Sequence, residues 1–250
     1  MLPAYRACPI RRGSPGRGRS TLRRLRGRPS WNWPARLLPA VVALSLIAAA
    51  CGSRVSPRTP PATSSAARGP EAGRYYGIQI TPPIAKPDVT LTDTTGAPFS
   101  LRQATDGYVT LLYVGYTHCP DVCPLQMATI AGALKKVPPD VAAKIKVVFV
   151  TADLERDTPQ RLREWLDLFD RRFIGLAGRQ AAIDAVQRAL GMAPATKEPL
   201  GGGNYAVNHA AYVLAYTTDD LAHLIYPQGF TADDWAHDLE KLVRQGWTGG

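Results

Sequence analysis

A nine-residue run, 108–116 (Tyr-Val-Thr-Leu-Leu-Tyr-Val-Gly-Tyr), leads without a break into Thr117-His-Cys-Pro-Asp-Val-Cys-Pro124. A run of this length, rich in β-branched and aromatic residues and without polar alternation, reads as a strand buried on both faces. Such a strand needs a sheet covered by helices on each side. Pro124 suits the first turn of a following helix, where its missing N–H costs nothing, and Ala128, Ile130, Ala131 and Leu134 continue that helix. Two thiols, Cys119 and Cys123, therefore stand where a strand ends and a helix begins. There the positive end of the helix dipole favours thiolate, the form that exchanges disulfides or ligates metal.

The rest of the pattern fits around that junction. Residues 144–151 read as a second strand, and Thr158-Pro159 opens a helix running to about Phe169. Residues 173–176 read as a short strand and 180–190 as a helix closed by Gly191. After a glycine-bearing loop at 201–203, residues 206–216 and 221–226 read as two strands, and 231–244 as a terminal helix. Upstream, 89–101 alternates apolar and polar residues around Gly96, as a β-hairpin does. The order predicts an α/β fold: a thioredoxin-like three-layer sandwich with a central mixed β-sheet and an N-terminal β-hairpin extension. Residues 75–250 are long enough for one packed core.

Charge is confined to the leading segment. The chain has 30 Lys and Arg against 20 Asp and Glu, yet residues 1–50 hold ten arginines and no acid, so the remainder is formally neutral. That balance argues against nucleic-acid binding, which needs a basic face on the folded part. The arginines precede a short apolar stretch, 37–50, and small residues before Cys51. This is the layout of an export signal, and it is too short for a comfortable membrane span. Cys51 stands where a bacterial lipobox carries its acylated cysteine, although Ala48 occupies the position usually held by Leu. The chain thus divides into a signal segment, 1–50, a Pro/Ser/Ala/Thr-rich tether, 51–74, and a folded domain, 75–250. The expected location is the outer face of the bacterial cytoplasmic membrane, with a lipid anchor at Cys51.

Of the four cysteines, Cys8 falls in the signal segment and Cys51 at the anchor, leaving only Cys119 and Cys123 in the domain. A single close pair is a redox or metal site rather than a disulfide framework. Thiolates are soft and select copper(I) or zinc over hard ions, but two sulfurs leave a metal under-coordinated. Four histidines could complete the set. His237 in the terminal helix and His223 in a late strand read as surface or packing residues, and His118 as pointing away from Cys119. His209 follows the glycine loop, and the loop entering that strand of a thioredoxin-like fold lies beside the redox helix. It is the candidate third ligand; the competing reading is a satisfied core histidine. Trp165, Trp235 and Trp247 read as packing residues of amphipathic helices, and Arg156, Asp157 and Thr158-Pro159 as a turn and helix N-cap.

Three runs, residues 116–124, 151–159 (Thr-Ala-Asp-Leu-Glu-Arg-Asp-Thr-Pro) and Val207-Asn-His209, together resemble the SCO/SenC family of copper-binding proteins, over about residues 75–245. The resemblance implies a thioredoxin-like, membrane-tethered metallochaperone with Cys119, Cys123 and His209 as ligands of one copper ion, Cu(I) or Cu(II). It implies delivery to the dinuclear site of cytochrome c oxidase subunit II, with a copper donor and a thiol reductant as further partners. The family usually has Asp before the ligand His and Pro after the aspartate of the second run, where this chain has Asn208 and Leu154. Asp153 is then a candidate to orient His209 from behind, with a helix-entry or surface role as the competing reading. Transfer rather than turnover is the expected activity. A thiol–disulfide reductase that reduces the oxidase cysteines before metallation is the alternative, through the same Cys119 and Cys123; a peroxiredoxin and a structural zinc site fit less well.

Overall fold

The structure is a computed structural model and describes residues 74–249. The expected signal segment 1–50, the expected anchor Cys51 and the expected tether 51–74, Arg74 apart, lie outside the described residues. No helix among the described residues is long and apolar enough to cross a membrane.

The elements in chain order are β1 (Ile78–Ala85), β2 (Thr90–Asp93), β3 (Pro98–Ser100), α1 (Leu101–Ala104), β4 (Val109–Gly115), α2 (Val122–Lys136), α3 (Pro139–Ala142) and β5 (Ile145–Thr151). There follow α4 (Pro159–Asp167), β6 (Ile174–Ala177), α5 (Gln180–Ala189), β7 (Thr196–Gly201), β8 (Asn204–Asn208), β9 (Val213–Tyr216), β10 (Leu221–Tyr226) and α6 (Ala232–Gln245). Eight strands form one sheet in the order β1-β10-β9-β4-β5-β6-β2-β3. The ladders β4/β5 and β5/β6 are parallel and the others antiparallel, so the sheet is mixed as expected. The β2/β3 hairpin is the expected extension, joined to the sheet through β6.

All seven residues of β4 are buried. Successive side chains point to opposite faces, so helices must cover both sides, and the arrangement is the thioredoxin-like sandwich that the sequence predicts. Leu111, Leu112 and Val114 are fully enclosed, each contributing about 2 kcal/mol from burial. Helix α2 packs along α6, which is started by a capping box between Thr231 and Asp234. The fully buried carboxylate of Asp238 in α6 accepts from the amides of Tyr76 and Gly77 and from Tyr226 Oη. It fixes the chain just before β1 to α6.

Three expectations need correction. The strand expected at 206–216 is two strands, β8 and β9, with 209–212 between them in no regular element. Strand β8 pairs with β7 in a separate two-stranded sheet rather than joining the main one. Its turn runs through Gly201, Gly202 and Gly203, all at φ between +60° and +86°, which only glycine adopts freely. Trp247 lies beyond α6 instead of within it, stacked on the rings of His223 and Tyr75.

Candidate metal centre

Both cysteines sit at the carboxyl end of β4. Cys119 lies in the connecting loop and Cys123 in the first turn of α2, and both are free thiols. Cys123 is fully buried, whereas Cys119 keeps 8% of its surface in solvent. The N-cap residue Asp121 offers no side-chain cap; instead the Cys123 amide donates to Cys119 Sγ at 3.4 Å. The sulfur thus takes the place of a capping oxygen.

The two thiols are pushed in opposite directions. Cys119 is lowered to about 3, first by the hydrogen bond from the Cys123 thiol, then by His209 and the amides of Asp121 and Cys123, against the effect of burial. Cys123 is raised, first by donating to Cys119 and then by burial. Tyr113 Oη donates to Cys123 Sγ at 3.4 Å, and burial pushes this phenol up as well. At neutral pH the lowered Cys119, which alone of the two keeps a little surface in solvent, is the thiolate, and the raised, fully enclosed Cys123 keeps its proton. Iodoacetamide should therefore alkylate Cys119 at a rate nearly flat between pH 5 and 8, with Cys123 lagging far behind. An unperturbed thiol loses about tenfold in rate per unit below its pKa of about 8.5. Mass spectrometry of peptides after short pulses reads this; a Cys119 rate that climbs through pH 8 contradicts it.

His209 joins the thiols from the far side. Its Nε2 lies 3.6 Å from Cys123 Sγ, while Nδ1 lies 3.1 Å from Ala210 O. The Ala210 carbonyl can accept from Nδ1–H, and in that tautomer Nε2 is free to offer its lone pair to a metal held by the sulfurs. The imidazole stands edge-on to Tyr116 at 5.7 Å and to Tyr113 at 6.1 Å. Two soft sulfurs and one imidazole at a barely exposed mouth form a donor set suited to copper, trigonal for Cu(I) and with room for an added ligand for Cu(II).

The other expected positions resolve as follows. His223 is buried, with Nε2 2.8 Å from Asp219 Oδ2, and His237 Nδ1 lies 2.9 Å from Asp238 Oδ1. Both are packing or surface residues of β10 and α6, as expected. His118 Nδ1 turns to Thr117 Oγ1 at 3.2 Å and Asp157 Oδ1 at 3.5 Å. Asp153 is fully buried, but its carboxylate takes bonds from Arg156 and from Tyr205 Oη, and the Nδ1 of His209 is turned to Ala210 O instead. Asn208 reaches across the hairpin to Glu198 at 3.1 Å.

Asp157 corrects the expectation of a plain turn. Thr158 is the N-cap of α4, accepting from the Arg161 amide, as predicted. Asp157, however, is buried and accepts from the amide of Thr117 at 2.9 Å and from the hydroxyls of Thr117 and Thr151, both at 2.6 Å. It clamps the start of the cysteine loop to the end of β5. Tyr113, which donates to Cys123, was likewise passed over because it read only as an apolar strand residue. Donor atoms of His118, Asp153 and Asp157 lie within 4.8 Å of one another. Their carboxylates are already engaged by Arg156, Tyr205, Thr117 and Thr151, so this group reads as loop architecture rather than a cation site.

Fold and site together define a thioredoxin-fold protein whose thiol pair, spaced by three residues, meets a loop-borne histidine. The chain belongs to the SCO1/SenC family, whose profile matches residues 79–244. It is 37% identical over 107 residues to Protein SenC of Rhodobacter capsulatus, covering 38% of this chain and 46% of that one. It is 30% identical over 159 residues to the mitochondrial SCO1 homolog 1 of Arabidopsis thaliana, covering 60% and 47%. The chain spans about half the length of the curated relatives it matches. Among solved structures, apo Sco1 from Thermus thermophilus matches with a TM-score of 0.60 at 31% identity, over 68% of this chain and 97% of that one. ScoI of Bradyrhizobium japonicum with copper bound matches with a TM-score of 0.56 at 31% identity, over 64% and 96%.

Proposed function

We propose that this chain binds one copper ion as cargo through Cys119, Cys123 and His209 and delivers it to the dinuclear copper site of cytochrome c oxidase subunit II. The observation that carries the reading is the approach of His209 Nε2 to Cys123 Sγ, 3.6 Å across 86 residues of sequence, beside the Cys119 thiolate. Copper bound to the similar Bradyrhizobium structure supports the choice of metal. The Cys119 thiolate, nearer the solvent, receives and releases the ion first, and the fully buried Cys123 thiol must give up its proton to complete the site. Anchoring through Cys51 on the outer face of the cytoplasmic membrane, with the tether 51–74 supplying reach, completes the proposal and rests on the sequence alone.

The alternative, reduction of the acceptor's disulfide before metallation, is favoured by one observation: a low-pKa thiolate paired with a proton-bearing partner. Such a pair attacks a disulfide with Cys119 and resolves the mixed disulfide with Cys123. Loading and disulfide formation compete for the same sulfurs. The test is to mix Cu(I)-loaded protein with the reduced soluble domain of subunit II, and, separately, copper-free reduced protein with the oxidised domain. Copper should move to the reduced acceptor in near-stoichiometric amount. Retention on the donor, with acceptor disulfide reduced much faster than by a small dithiol, would shift the assignment to the reductase.

A further inference from the structure

The β7–β8 hairpin leads directly into His209 yet has no ladder to the main sheet. All six residues of β7 are exposed, and residues 209–212, which follow β8, adopt no regular structure. Nor does His209 Nδ1 reach beyond its own neighbour's carbonyl. The position of this imidazole must therefore come from side chains that tie the hairpin down. Val207 supplies one tie, its side chain buried in the core and its backbone bonded to the Tyr116 hydroxyl. The other centres on Arg156, in the turn after β5.

Arg156 grips in four directions. Its Nε donates to the buried carboxylate of Asp153, and Nη1 donates to Tyr205 O in β8 at 3.0 Å. Its guanidinium lies 3.6 Å from the centre of the Tyr205 ring, whose hydroxyl donates to the same Asp153 at 2.7 Å. On its other side it lies 5.8 Å from the Tyr116 ring, and that ring is the one edge-on to His209. The side chain is only 22% exposed, and Asp153 is fully enclosed, so this is not a screened surface pair. Glu155, next in the same turn, pairs with Lys197 of β7 at the rim.

We propose that Arg156 is a positioning residue that latches the β7–β8 hairpin onto the end of β5 and the Tyr116 ring, and so holds the His209 imidazole at the thiol pair. Asp153, expected to orient His209 itself, acts one step back by fixing the guanidinium. The proposal rests on the copper-site reading and names what aims its third ligand. A planar, forked cation is needed: lysine cannot bond Asp153 and the Tyr205 carbonyl while stacking on the ring.

The test compares wild type, Arg156→Lys, Arg156→Ala, His209→Ala and the double variant Arg156→Ala/His209→Ala, all full chain and reduced. Each is titrated with Cu(I) against a competing chelator, then examined as the Cu(II) form by electron paramagnetic resonance, with thermal melting as the fold control. Arg156→Lys and Arg156→Ala should still bind one copper through the thiols, with affinity about tenfold lower, as befits loss of a partner that orients a ligand. Their nitrogen hyperfine signal should weaken towards that of His209→Ala. The double variant should bind no more weakly than His209→Ala alone, because a latch has nothing to position once the imidazole is gone. If Arg156→Lys melts as a folded protein and keeps both wild-type affinity and the nitrogen signal, the latch is overturned. An additive double variant also overturns it, since Arg156 would then act elsewhere. Wild-type affinity in His209→Ala itself instead sinks the three-ligand reading.

Discussion

Replacing Cys119 or Cys123 with Ala is expected to lower Cu(I) affinity by about a hundredfold or more, and His209→Ala by about a hundredfold. Tight protein metal sites are worth about 10–16 kcal/mol over about four ligands, on the order of 3 kcal/mol each. The two cysteine variants should differ in one respect. Cys119→Ala removes the outward thiolate and leaves the buried thiol of Cys123, whose donation to Cys119 no longer raises it. Cys123→Ala leaves Cys119 accessible but without its strongest hydrogen-bond donor, so its pKa rises. Copper uptake near pH 6 should therefore fall in the Cys123 variant even where Cys119 survives. An anaerobic titration in which either cysteine variant binds one equivalent as tightly as wild type would remove the thiol pair from the site.

The second large effect is expected at Asp157, a residue that touches no proposed ligand. Asp157→Ala leaves the Thr117 amide and the hydroxyls of Thr117 and Thr151 without their acceptor in the interior. Each buried donor left unpaired costs about 1–3 kcal/mol, so the variant should lose on the order of 3 kcal/mol of stability in chemical denaturation. The loop bearing Cys119 starts at the clamped Thr117, so copper affinity should fall with it. A loss below about 1 kcal/mol would mean that water or a neighbouring group replaces the carboxylate at little cost. Asp157→Asn is the gentler comparison, because an amide still offers one acceptor oxygen to these three donors.

The strand before the cysteines was legible because its burial is double-sided: a continuous apolar run admits few other placements, and residues 109–115 are all enclosed. The cysteine junction followed from the same run, and so did the helix that Pro124 helps to start. Strand β10 and helix α6 lie close to where the sequence places them, at 221–226 and 231–244. Other parts gave no such signal. Strand β1 contains Pro82 and Pro83 and lies at the sheet edge, where prolines cost no ladder bond, so its sequence carries no clear period. Strand β7 is exposed throughout, and nothing apolar marks it as a strand.

The site divides in the same way. The thiols are local, with three residues between them across one loop-to-helix junction, and a sequence shows local things. Asp157 and Arg156 owe their roles to partners up to 49 residues away, so Arg-Asp-Thr-Pro looks like any helix entry until Thr117, Thr151 and Tyr205 are folded against it. His209 is legible from its loop, which topology places beside the redox helix, and from the Val207-Asn-His209 run that resembles the family. Asp153 was expected near His209 and is near instead to what holds His209, since its carboxylate is already taken by Arg156 and Tyr205.

The central claim is that two sulfurs and one imidazole of this chain hold one copper ion. X-ray absorption at the copper edge of the reduced, Cu(I)-loaded full chain, beside His209→Ala, tests it most directly. Two sulfur neighbours and one nitrogen are expected in the wild type, with the nitrogen missing from the variant. A wild-type site with sulfur neighbours alone, or a nitrogen that persists in His209→Ala, contradicts the account.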